Sequence, residues 1–594
     1  MSILPPFVQE LLAVYLEPLL HWFSDRIYAD LLKHADDHFL VKLHRHLDFR
    51  RLEQACAGYH HASGPGATPT HIVACLVRAE LVGALYGWSL RQLEQQIRYN
   101  LVVKWFVGYA LYEAGPDHVT LERFELWACE QAHRSYFDEV LRQIDQDFPE
   151  ERQVAQLGDT FAVRAQAARE DLGDLIQHTC RLALRTLQRV APVLEAEIAA
   201  QLQAPALFGP TQNPHAFRLT RAERARRLQA RVEAAQACAQ WVATALTTVP
   251  NLAPEARQTV TVWLTRLEKI LADEFTFADP PVAASVPAPQ GLAADPAAAV
   301  ERVDAGLPVE PPPLYITEAK DKGTYRLGSA TDPEATYRVH GEEEAKTEFG
   351  YNPQVLTTPQ FVREIEAHTG ARPDAVTIAP ALAAQQQYQG LTPPKLIYDA
   401  AAGAGKVHAQ VAAATQGRTQ LVAPLVPLEK RTDLFTPDRF TLSADGQTLT
   451  CPQGRTTDIA YRHPVGDGRA FRFLGHQCRD CPLWEQCRPQ KPNAKALRQV
   501  FISDYRAETE AARAYAQTDA FKADRRQRSV VERIIAALVR YNGARQARRR
   551  GLKKTDFQMK MAATAYNLKK WMRLLDQRAA AARLQTQPRV ESAC

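Results

Sequence analysis

Hydrophobic residues in the first 150 positions recur at helical spacing. The run Ile72–Tyr86 is apolar on most sides, which is the pattern of a buried helix, and Ser89 is placed to cap the next helix. Gly115-Pro116-Asp117 interrupts the pattern, which then resumes over His118–Ile144. The N-terminal region is therefore predicted to be a bundle of short helices. Such bundles bind DNA, mediate dimers or have other roles, and the pattern does not choose among these.

The pattern becomes strand-like after residue 150. Residues Val154–Ala168 are rich in Val, Phe and Thr, which favour extended structure. Helical patterns return over residues 169–207 and 219–274. Pro and Ala then dominate Ala278–Pro313, a composition that cannot form a core and is typical of a linker. A long helical segment is thus predicted to interrupt a domain whose strands resume near Tyr325.

From Tyr325 onward, strand-like and helical patterns alternate. Strands are predicted at Tyr337–Val339, Tyr351–Leu356 and Lys395–Tyr398, and helices at Thr358–Thr369 and Pro380–Gln389. Residues 420–505 are rich in turns. Short strands are predicted in or beside them at Thr419–Val422, Arg439–Leu442 and Phe471–Leu474. Residues 507–585 are again helical, so this half of the chain is predicted to be α/β with a β-rich insertion.

Composition places the chain among ordinary globular proteins. Of its 594 residues, 46% are hydrophobic and 23% charged, and the net charge is +5. This length indicates roughly two to four folded units. No uninterrupted apolar run approaches the roughly 20 residues that span a bilayer, so no membrane association is expected. The apolar segment Ile3–Phe23 carries prolines and acids and lacks a basic leader, so a helix is expected there and not a signal peptide.

Three acidic residues far apart in the chain have settings that suit a site for divalent cations. Asp159 lies in the strand-like run Val154–Val163, Asp399 ends the predicted strand Lys395–Tyr398, and Glu532 lies in an amphipathic helix. If folding brings the three together, they can hold two cations ~4 Å apart. Such a pair of metals activates an attacking oxygen and stabilises a leaving oxygen in phosphoryl transfer.

Each of these acids also has an ordinary structural explanation. Asp159 follows Gly158, and an Asp at a strand edge often makes a turn, although the glycine would also let a metal or a DNA backbone approach. Asp399 opens a Gly-rich turn at the carboxyl end of a strand, where ligand binding and local hydrogen bonding are both common. Arg528 precedes Glu532 by four residues, so a helical ion pair explains that Glu. Spacing alone does not identify a site.

Gly403–Lys406 (GAGK) contains part of a phosphate-binding loop. The four-residue spacer before Gly-Lys is absent, and Val407 stands where the motif has Ser or Thr. An ATP site is therefore rejected. Lys406 is kept as a candidate contact for DNA phosphate.

Basic residues concentrate after Arg525. Eleven Lys and Arg residues lie between Arg525 and Lys554, and Glu532 is the only acid among them. A solvated helical face is the ordinary explanation, but the position of this run around a candidate catalytic Glu favours contact with nucleic-acid phosphates. Such contacts position a duplex without reading its sequence. The predicted contacts in this stretch are Arg528, Arg540, Arg545, Arg548, Arg549, Arg550 and Lys553.

Four of the ten cysteines are clustered, at Cys451, Cys478, Cys481 and Cys487. A CxxC turn with two further thiols can supply a tetrahedral Zn²⁺ site that stabilises a turn-rich segment without a large core, and His476 could replace a missing ligand. The second half of the cluster is not CxxC, so unliganded thiols are the alternative. The other six cysteines are scattered and are expected to be ordinary thiols in a reducing compartment.

Several segments together resemble bacterial insertion-sequence transposases of the DDE type. The most specific are RSVVERIIAALVRYNGARQARRRG around Glu532 with the following AATAYNLKKWMR, and the N-terminal LYGWSLRQLEQQIRYNLVVKWFVG with GPDHVTLERF. The resemblance continues through LGDTFAVRA at Asp159, LGSATDPEATYRVHG with FGYNPQV, and PPKLIYDAAAGAGK at Asp399. It covers nearly the whole length of the chain.

This resemblance implies a fold and a set of catalytic residues. The implied fold class is α/β, with a ribonuclease-H-like mixed sheet core, a helical N-terminal domain, a helical insertion and a β-rich insertion. Asp159, Asp399 and Glu532 take the positions of the family's first Asp, second Asp and Glu, which are implied to bind Mg²⁺ or Mn²⁺. The helical insertion accounts for the 240 residues between the two Asp residues.

The helix of Glu532 departs from the family pattern in part. Many relatives have a Tyr seven residues before the Glu, an Arg four before it and a Lys seven after it. Arg528 fits the Arg position, whereas Arg525 and Val539 stand where Tyr and Lys are expected, and Arg540 is one residue away from the Lys position. The departure concerns the contacts of this helix with DNA ends and not the metal role of Glu532.

The resemblance also gives the chain a predicted division into regions. These are a helical DNA-binding or dimerisation region (1–150), the first strand region of the catalytic core (151–175), a helical insertion (176–320) with its linker (278–313), the continued core (321–420), a β-rich insertion with the cysteine cluster (421–506), and the C-terminal core helices with the basic stretch (507–585).

The implied activity is DNA transposition. The enzyme would cut element ends and join their 3′-hydroxyls to target DNA by two-metal phosphoryl transfer. Double-stranded DNA is the implied partner, a homodimer is expected because two ends must be synapsed, and the implied location is the bacterial cytoplasm in association with the nucleoid. Two alternatives stay open: a metal-dependent nuclease without strand transfer, and a non-catalytic DNA-binding protein derived from a transposase.

Overall fold

The computed structural model describes residues 16–60, 71–192, 219–248, 252–276, 315–316, 325–339, 347–425, 434–488 and 498–586. The predicted linker Ala278–Pro313 and the first part of Ile3–Phe23 lie outside these residues. The chain divides into two compact units. The first consists of Met1–Val163, Asn352–His368 and Arg372–Cys594, and the second of Arg164–Tyr351 and Thr369–Ala371.

The α-helices of the described residues, in chain order, are α1 (Glu17–Lys33), α2 (Phe39–His46), α3 (Arg50–Ala55), α4 (Val73–Tyr86), α5 (Leu90–Tyr99), α6 (Leu101–Val107), α7 (His118–Gln131), α8 (Ser135–Asp147), α9 (Leu172–Val190), α10 (Arg221–Thr248), α11 (Pro254–Glu274), α12 (Ile378–Gln389), α13 (Gly405–Thr415), α14 (Gly475–Cys478), α15 (Trp484–Cys487), α16 (Arg506–Ala516), α17 (Asp519–Arg526), α18 (Ser529–Tyr541) and α19 (Leu552–Thr586).

The strands of the described residues are β1 (Gln156–Thr160), β2 (Val163–Arg164), β3 (Phe275–Thr276), β4 (Tyr315–Ile316), β5 (Thr336–Val339), β6 (Thr347–Tyr351), β7 (Gln354–Thr357), β8 (Val362–Glu366), β9 (Lys395–Ile397), β10 (Gln420–Val422), β11 (Thr441–Leu442), β12 (Leu449–Thr450), β13 (Thr456–Thr457), β14 (Ala460–Arg462), β15 (Gly468–Phe473) and β16 (Arg498–Ser503).

A five-stranded mixed sheet lies in the first unit. Its order is β10-β9-β1-β7-β8. Strand β1 runs parallel to β9, and β9 parallel to β10, whereas β1 pairs with β7 and β7 with β8 in antiparallel fashion. The predicted strands at Asp159 and before Asp399 are therefore confirmed, and they are neighbours in one sheet.

Helices cover this sheet. Side chains of α12 and α13, such as Leu382 and Val411, form a hydrophobic core with Leu356 and Leu396 of the sheet. Helix α18 packs against β1. Its buried residues are Val531, Ile534 and Leu538, whose helical spacing forms the apolar stripe expected from the sequence. The helix that carries Glu532 is thus fixed to the strand that carries Asp159.

The N-terminal bundle is confirmed by helices α1–α8. Ser89 caps α5 through a capping box with Gln92, as the sequence predicted. The bundle core also contains Phe557, Met561 and Trp571 of the C-terminal helix α19. The two ends of the chain therefore share one hydrophobic core.

None of the described helices is long and apolar enough to cross a membrane by itself. Helices α4 and α5 meet these conditions only as a pair, and the chain bends by 111° between them.

Helix α19 also supplies partners for the backbone of the outermost strand, β8. The Asn567 side chain accepts a hydrogen bond from the Val362 backbone N–H at 2.9 Å and donates one to the Val362 carbonyl at 2.9 Å. Lys560 donates to the Ile365 carbonyl, and Asp556 accepts from the Ala367 N–H. These buried side chains satisfy backbone groups that an edge strand leaves open.

The predicted helix Thr358–Thr369 is wrong, because this segment contains strand β8. Arg363 and Glu364 of this strand are buried. Arg363 pairs with Asp145 at 2.6 Å, and Glu364 pairs with Arg134 at 2.8 Å. Distant partners neutralise both charges, so a strand that is buried on both faces can contain them.

The insertion before α16 is confirmed as β-rich. It contains two three-stranded sheets, β11-β12-β13 and β14-β15-β16. Its hydrophobic core is small and consists of Phe440, Leu449, Phe471, Phe473, Val500 and Ile502, with Cys451, Cys478 and Cys487 packed against it.

The second unit is mainly helical. Helices α9, α10 and α11 share a core that includes Leu184, Val242 and Leu267, and strands β5 and β6 pair in antiparallel fashion. This confirms the helical patterns within the described residues 169–192, 219–248 and 252–274. Residues 193–207 of the first predicted span lie outside the described residues.

Gly158 in β1 has no room for a side chain, because a Cβ atom there would lie 2.5 Å from the Tyr398 ring and 2.9 Å from Leu356. Gly158→Ala is expected to lower the free energy of unfolding by about 1–3 kcal/mol, since Tyr398, directly after the neighbouring strand β9, is fully buried. Differential scanning calorimetry measures the effect. Gly58→Ala is the matched control, because its nearest neighbour, Trp127, is 3.8 Å away. Equal melting temperatures of the two variants would contradict the packing.

Candidate active site and basic segment

Asp159 and Asp399 lie at the same level of two neighbouring parallel strands. Leu157 of β1 pairs with Ile397 of β9, and each Asp lies two residues further along its chain. Because paired strands are ~4.8 Å apart, this register places the two acids side by side. Asp399 also caps a short helix, since its carboxylate accepts a hydrogen bond from the Ala401 N–H at 2.9 Å.

Arg528 contacts both carboxylates. Its Nη2 atom lies 3.0 Å from Oδ2 of Asp159 and 3.7 Å from Oδ2 of Asp399. The side chains of Asp159, Asp399 and Arg528 are 16%, 28% and 25% exposed, so the cluster is largely shielded from water. The ion pair between Arg528 and Glu532 that the sequence allowed is not formed, because the guanidinium points to the strands instead.

The environment of Asp159 disfavours its ionised form. Burial raises the pKa of Asp159 above its ordinary value, and the Asp399 carboxylate raises it further. Two groups oppose this increase in the pKa of Asp159 and offset it only in part: the Thr160 N–H, which donates to Asp159 at 2.8 Å, and the Arg528 guanidinium. Two carboxylates this close repel each other, so a cation between them stabilises both charges.

Glu532 does not join this cluster in the described structure. It lies in the first turn of α18, is exposed, and makes no ion pair with a described residue. It follows Arg528 by one helical turn, roughly 6 Å along the helix axis. Among the residues that the structure describes, no group of three or more His, Cys, Asp or Glu side chains is arranged to hold a metal ion. The structure thus brings two of the three predicted acids together.

The contacts that hold α17 next to β9 have no signal in the sequence. Lys395 at the start of β9 donates to Asp524 of α17 at 2.9 Å and to the Tyr515 hydroxyl of α16 at 3.0 Å. Asp524 and Tyr515 together raise the pKa of Lys395. Lys395 lies more than a hundred positions before Tyr515 and Asp524, so no local pattern reveals that it meets them. They position the segment that leads into α18.

The four clustered cysteines line one pocket of the β-rich insertion. Cys451 opens a tight turn in which the Gly454 N–H donates to the Cys451 carbonyl at 2.8 Å, with Gly454 at a φ of +82°. A second turn joins Cys478 and Cys481. Burial raises the pKa of Cys478 and of Cys487, and the neighbouring cysteines add to this. His476, the alternative ligand, is not among the described residues that line the pocket.

Two protein-family models match the chain. Residues 450–572 match a family described as "Transposase DDE domain", and residues 29–125 match one described as "Transposase domain (DUF772)". Together, the two matches support an insertion-sequence DDE transposase. No curated protein and no solved structure matches it.

The two matched segments of this transposase correspond to different parts of the first unit. The DDE match contains Glu532 and the four cysteines, whereas the other match lies within the N-terminal bundle. Asp159 and Asp399 lie outside both matches, and their roles remain predictions. The family implies DNA as a partner and generally uses divalent metal ions.

The basic segment of the transposase divides into paired and exposed residues. Arg549 pairs with Glu122 at 2.7 Å and with Glu125, and Lys553 pairs with Glu130; all three acids lie on α7. Among the other predicted DNA contacts, Lys406 pairs with Asp467 at 2.6 Å. The exposed members of the basic segment that make no ion pair with a described residue are Arg540, Arg545, Arg548 and Arg550.

Arg549→Gln is expected to lower the free energy of unfolding by about 1–2 kcal/mol, because it leaves two carboxylates on α7 without their partner. Arg545→Gln is the matched control and is expected to change it by less than about 0.5 kcal/mol. Thermal unfolding followed by circular dichroism compares the two. The difference in unfolding free energy between the two variants should become smaller in ~1 M salt, where exposed charges are screened. If the two variants are equally stable at low salt, the contacts with α7 contribute nothing to stability.

Proposed function

We propose that this transposase cuts the ends of its element and joins the 3′-hydroxyls to target DNA by two-metal phosphoryl transfer, with Asp159, Asp399 and Glu532 as metal ligands. The observation that carries the proposal is the convergence of Asp159 and Asp399 on one cationic group, Arg528. A place that holds a guanidinium between two carboxylates offers the oxygen ligands and the negative charge that a divalent cation requires.

The architecture around these acids supports a ribonuclease-H-like core. Both acids come from adjacent parallel strands of a mixed sheet, and Asp399 lies just beyond the carboxyl end of its strand, where open α/β sheets place their ligands. The helix of the third acid packs against the strand of the first. All three elements belong to the first unit.

The residues present fit Mg²⁺ or Mn²⁺, which would activate the attacking oxygen and stabilise the leaving one when bound. Asp159 and Asp399 each use Oδ1 to accept a backbone hydrogen bond, which orients the carboxylate and leaves Oδ2 directed toward the site. Glu532 is exposed on the first turn of α18, so packing does not fix its side-chain rotamer, and the proposal requires a rotamer that reaches the two Asp residues.

The exposed arginines give the proposed enzyme its surface for DNA. Arg540, Arg545, Arg548 and Arg550 carry charges that no described acid offsets through an ion pair, so phosphates of double-stranded DNA can take that role. A homodimer is proposed because two element ends must be held together. The proposed location is the cytoplasm, beside nucleoid DNA.

Asp159→Asn, Asp399→Asn and Glu532→Gln are each expected to reduce Mn²⁺-dependent cleavage by at least roughly 100-fold, because each removes a charged ligand. Asp458→Asn is the matched control, since Asp458 is exposed and pairs with no described cation. The assay supplies labelled element-end DNA and target plasmid and separates cut from joined products on a gel.

The three possible patterns separate the candidate functions. Metal-dependent cutting with joined product supports the transposase activity. Cutting without any joined product, even from pre-cut ends, indicates a nuclease. Unchanged DNA phenotypes in all three variants indicate a non-catalytic DNA-binding protein and contradict the proposal.

We also propose that Cys451, Cys478, Cys481 and Cys487 bind one structural Zn²⁺. All four line one pocket, and three of them pack against a core of only six buried residues, which is small for a stable folded insertion. The thiols are not at ligating positions among the described residues, so the proposal requires their side chains to rotate inward. Cys451, Cys478 and Cys481 lie at the two turns, and Cys487 ends the short helix α15.

Purified protein is expected to contain about one zinc per chain by mass spectrometry of metals, and Cys478→Ser or Cys481→Ser should remove it. Cys129→Ala is the control, because Cys129 is buried in the N-terminal bundle. Chelation should lower the melting temperature of the insertion, which lacks a large core. Protein from zinc-supplemented cells that carries almost no zinc would favour unliganded thiols.

A further inference from the structure

Arg528 lies where the proposed metal ions would need to bind. Its Nη2 atom contacts the Oδ2 atoms of Asp159 and Asp399, which are the same oxygens that point toward the site. Its Nε atom is buried and has no hydrogen-bond partner among the described residues. The guanidinium is therefore held by the attraction of the two carboxylates more than by a complete set of hydrogen bonds.

Arg528 lies where it can offset the charges of both carboxylates. The two carboxylates at neighbouring strand positions repel each other, and because their side chains are only 16% and 28% exposed, water screens this repulsion little. A guanidinium between them offsets both charges. A divalent cation bound to the same oxygens would do so more strongly but would repel the guanidinium at short range.

We propose that Arg528 is the counter-ion of the metal-free site and that Mg²⁺ or Mn²⁺ displaces it, which frees its guanidinium for a DNA phosphate. This inference rests on the proposed function, since it requires that Asp159 and Asp399 bind the metal. Arg528 is then a positioning residue that keeps the two carboxylates together until metal arrives.

This exchange couples metal binding to DNA binding. Arg528 cannot neutralise the two carboxylates and a phosphate at the same time. A phosphate that captures the guanidinium vacates the metal site, and by thermodynamic reciprocity the metal strengthens the contact with phosphate. The two carboxylates and the guanidinium are thus expected to have separate partners only when metal and DNA are both bound: the metal for the carboxylates and a phosphate for Arg528.

The first test measures Mn²⁺ binding to the full-length protein without DNA, by the electron paramagnetic resonance signal of free Mn²⁺. Arg528→Gln is expected to bind Mn²⁺ roughly tenfold more tightly than the wild type, because no bound cation has to be displaced. It should also melt at a lower temperature in chelator and gain more stability from Mn²⁺. Arg533→Gln, one residue beyond Glu532 and exposed, is the control for loss of charge and should change affinity less than about twofold.

A second test uses the wild-type chain, so it does not depend on the folding of a variant. An arginine-specific dicarbonyl reagent followed by peptide mass spectrometry should modify Arg528 faster with Mn²⁺ than with chelator. Arg540, which is exposed, should react equally in both. Equal modification of Arg528 in both conditions, or Mn²⁺ affinity of Arg528→Gln no higher than that of the wild type, would overturn the inference.

These outcomes are distinct from failure of the proposed function. If Asp159→Asn and Asp399→Asn leave Mn²⁺ binding unchanged, the acids are not metal ligands and the proposed function fails. If these variants lose Mn²⁺ but Arg528→Gln has ordinary affinity, the metal site stands and only the counter-ion role of Arg528 is wrong.

Discussion

The parallel pairing of β1 with β9 is the constraint on which the candidate site depends. It places Asp159 and Asp399 at one level of the sheet, where their carboxylates are partly buried and mutually repulsive. A positive charge beside the two carboxylates offsets their repulsion, and Arg528 supplies it. Helix α18, which follows Arg528 directly, is fixed by its apolar stripe against β1, so the third acid is carried to the same region.

Helix α19 links this site to the rest of the first unit. Its apolar side chains complete the core of the N-terminal bundle, while Asn567, Lys560 and Asp556 bond to the backbone of the edge strand β8. The bundle and the sheet therefore depend on the same helix. The segments that match the two transposase families, although far apart in the chain, both contribute to this arrangement.

Charge in the basic segment has two uses. Arg549 and Lys553 are paired with acids of α7 and so help to attach α7 to the C-terminal region, whereas Arg540 and Arg545 remain exposed. A run of arginines that appears uniform in sequence is thus divided by tertiary contacts into residues that stabilise the protein and residues available to DNA. In the exchange proposed for Arg528, this residue would change from an ion pair within the protein to a contact with DNA.

The sequence by itself determined the local features of this protein. Apolar spacing defined the helices of the bundle and the stripe on α18, Ser89 identified a cap, and the strands before Asp159 and Asp399 followed from short apolar runs. Tertiary structure decided which charges meet. Arg363 and Glu364 are buried in a strand because they pair with Asp145 and Arg134, which lie more than two hundred residues away, and no local pattern reveals these partners. Likewise, Arg528 pairs with Asp159, which is 369 positions away in the chain, and not with Glu532, which is four positions away. Periodicity reports which face of an element is buried, but the partner of a charge depends on the distance between atoms after folding.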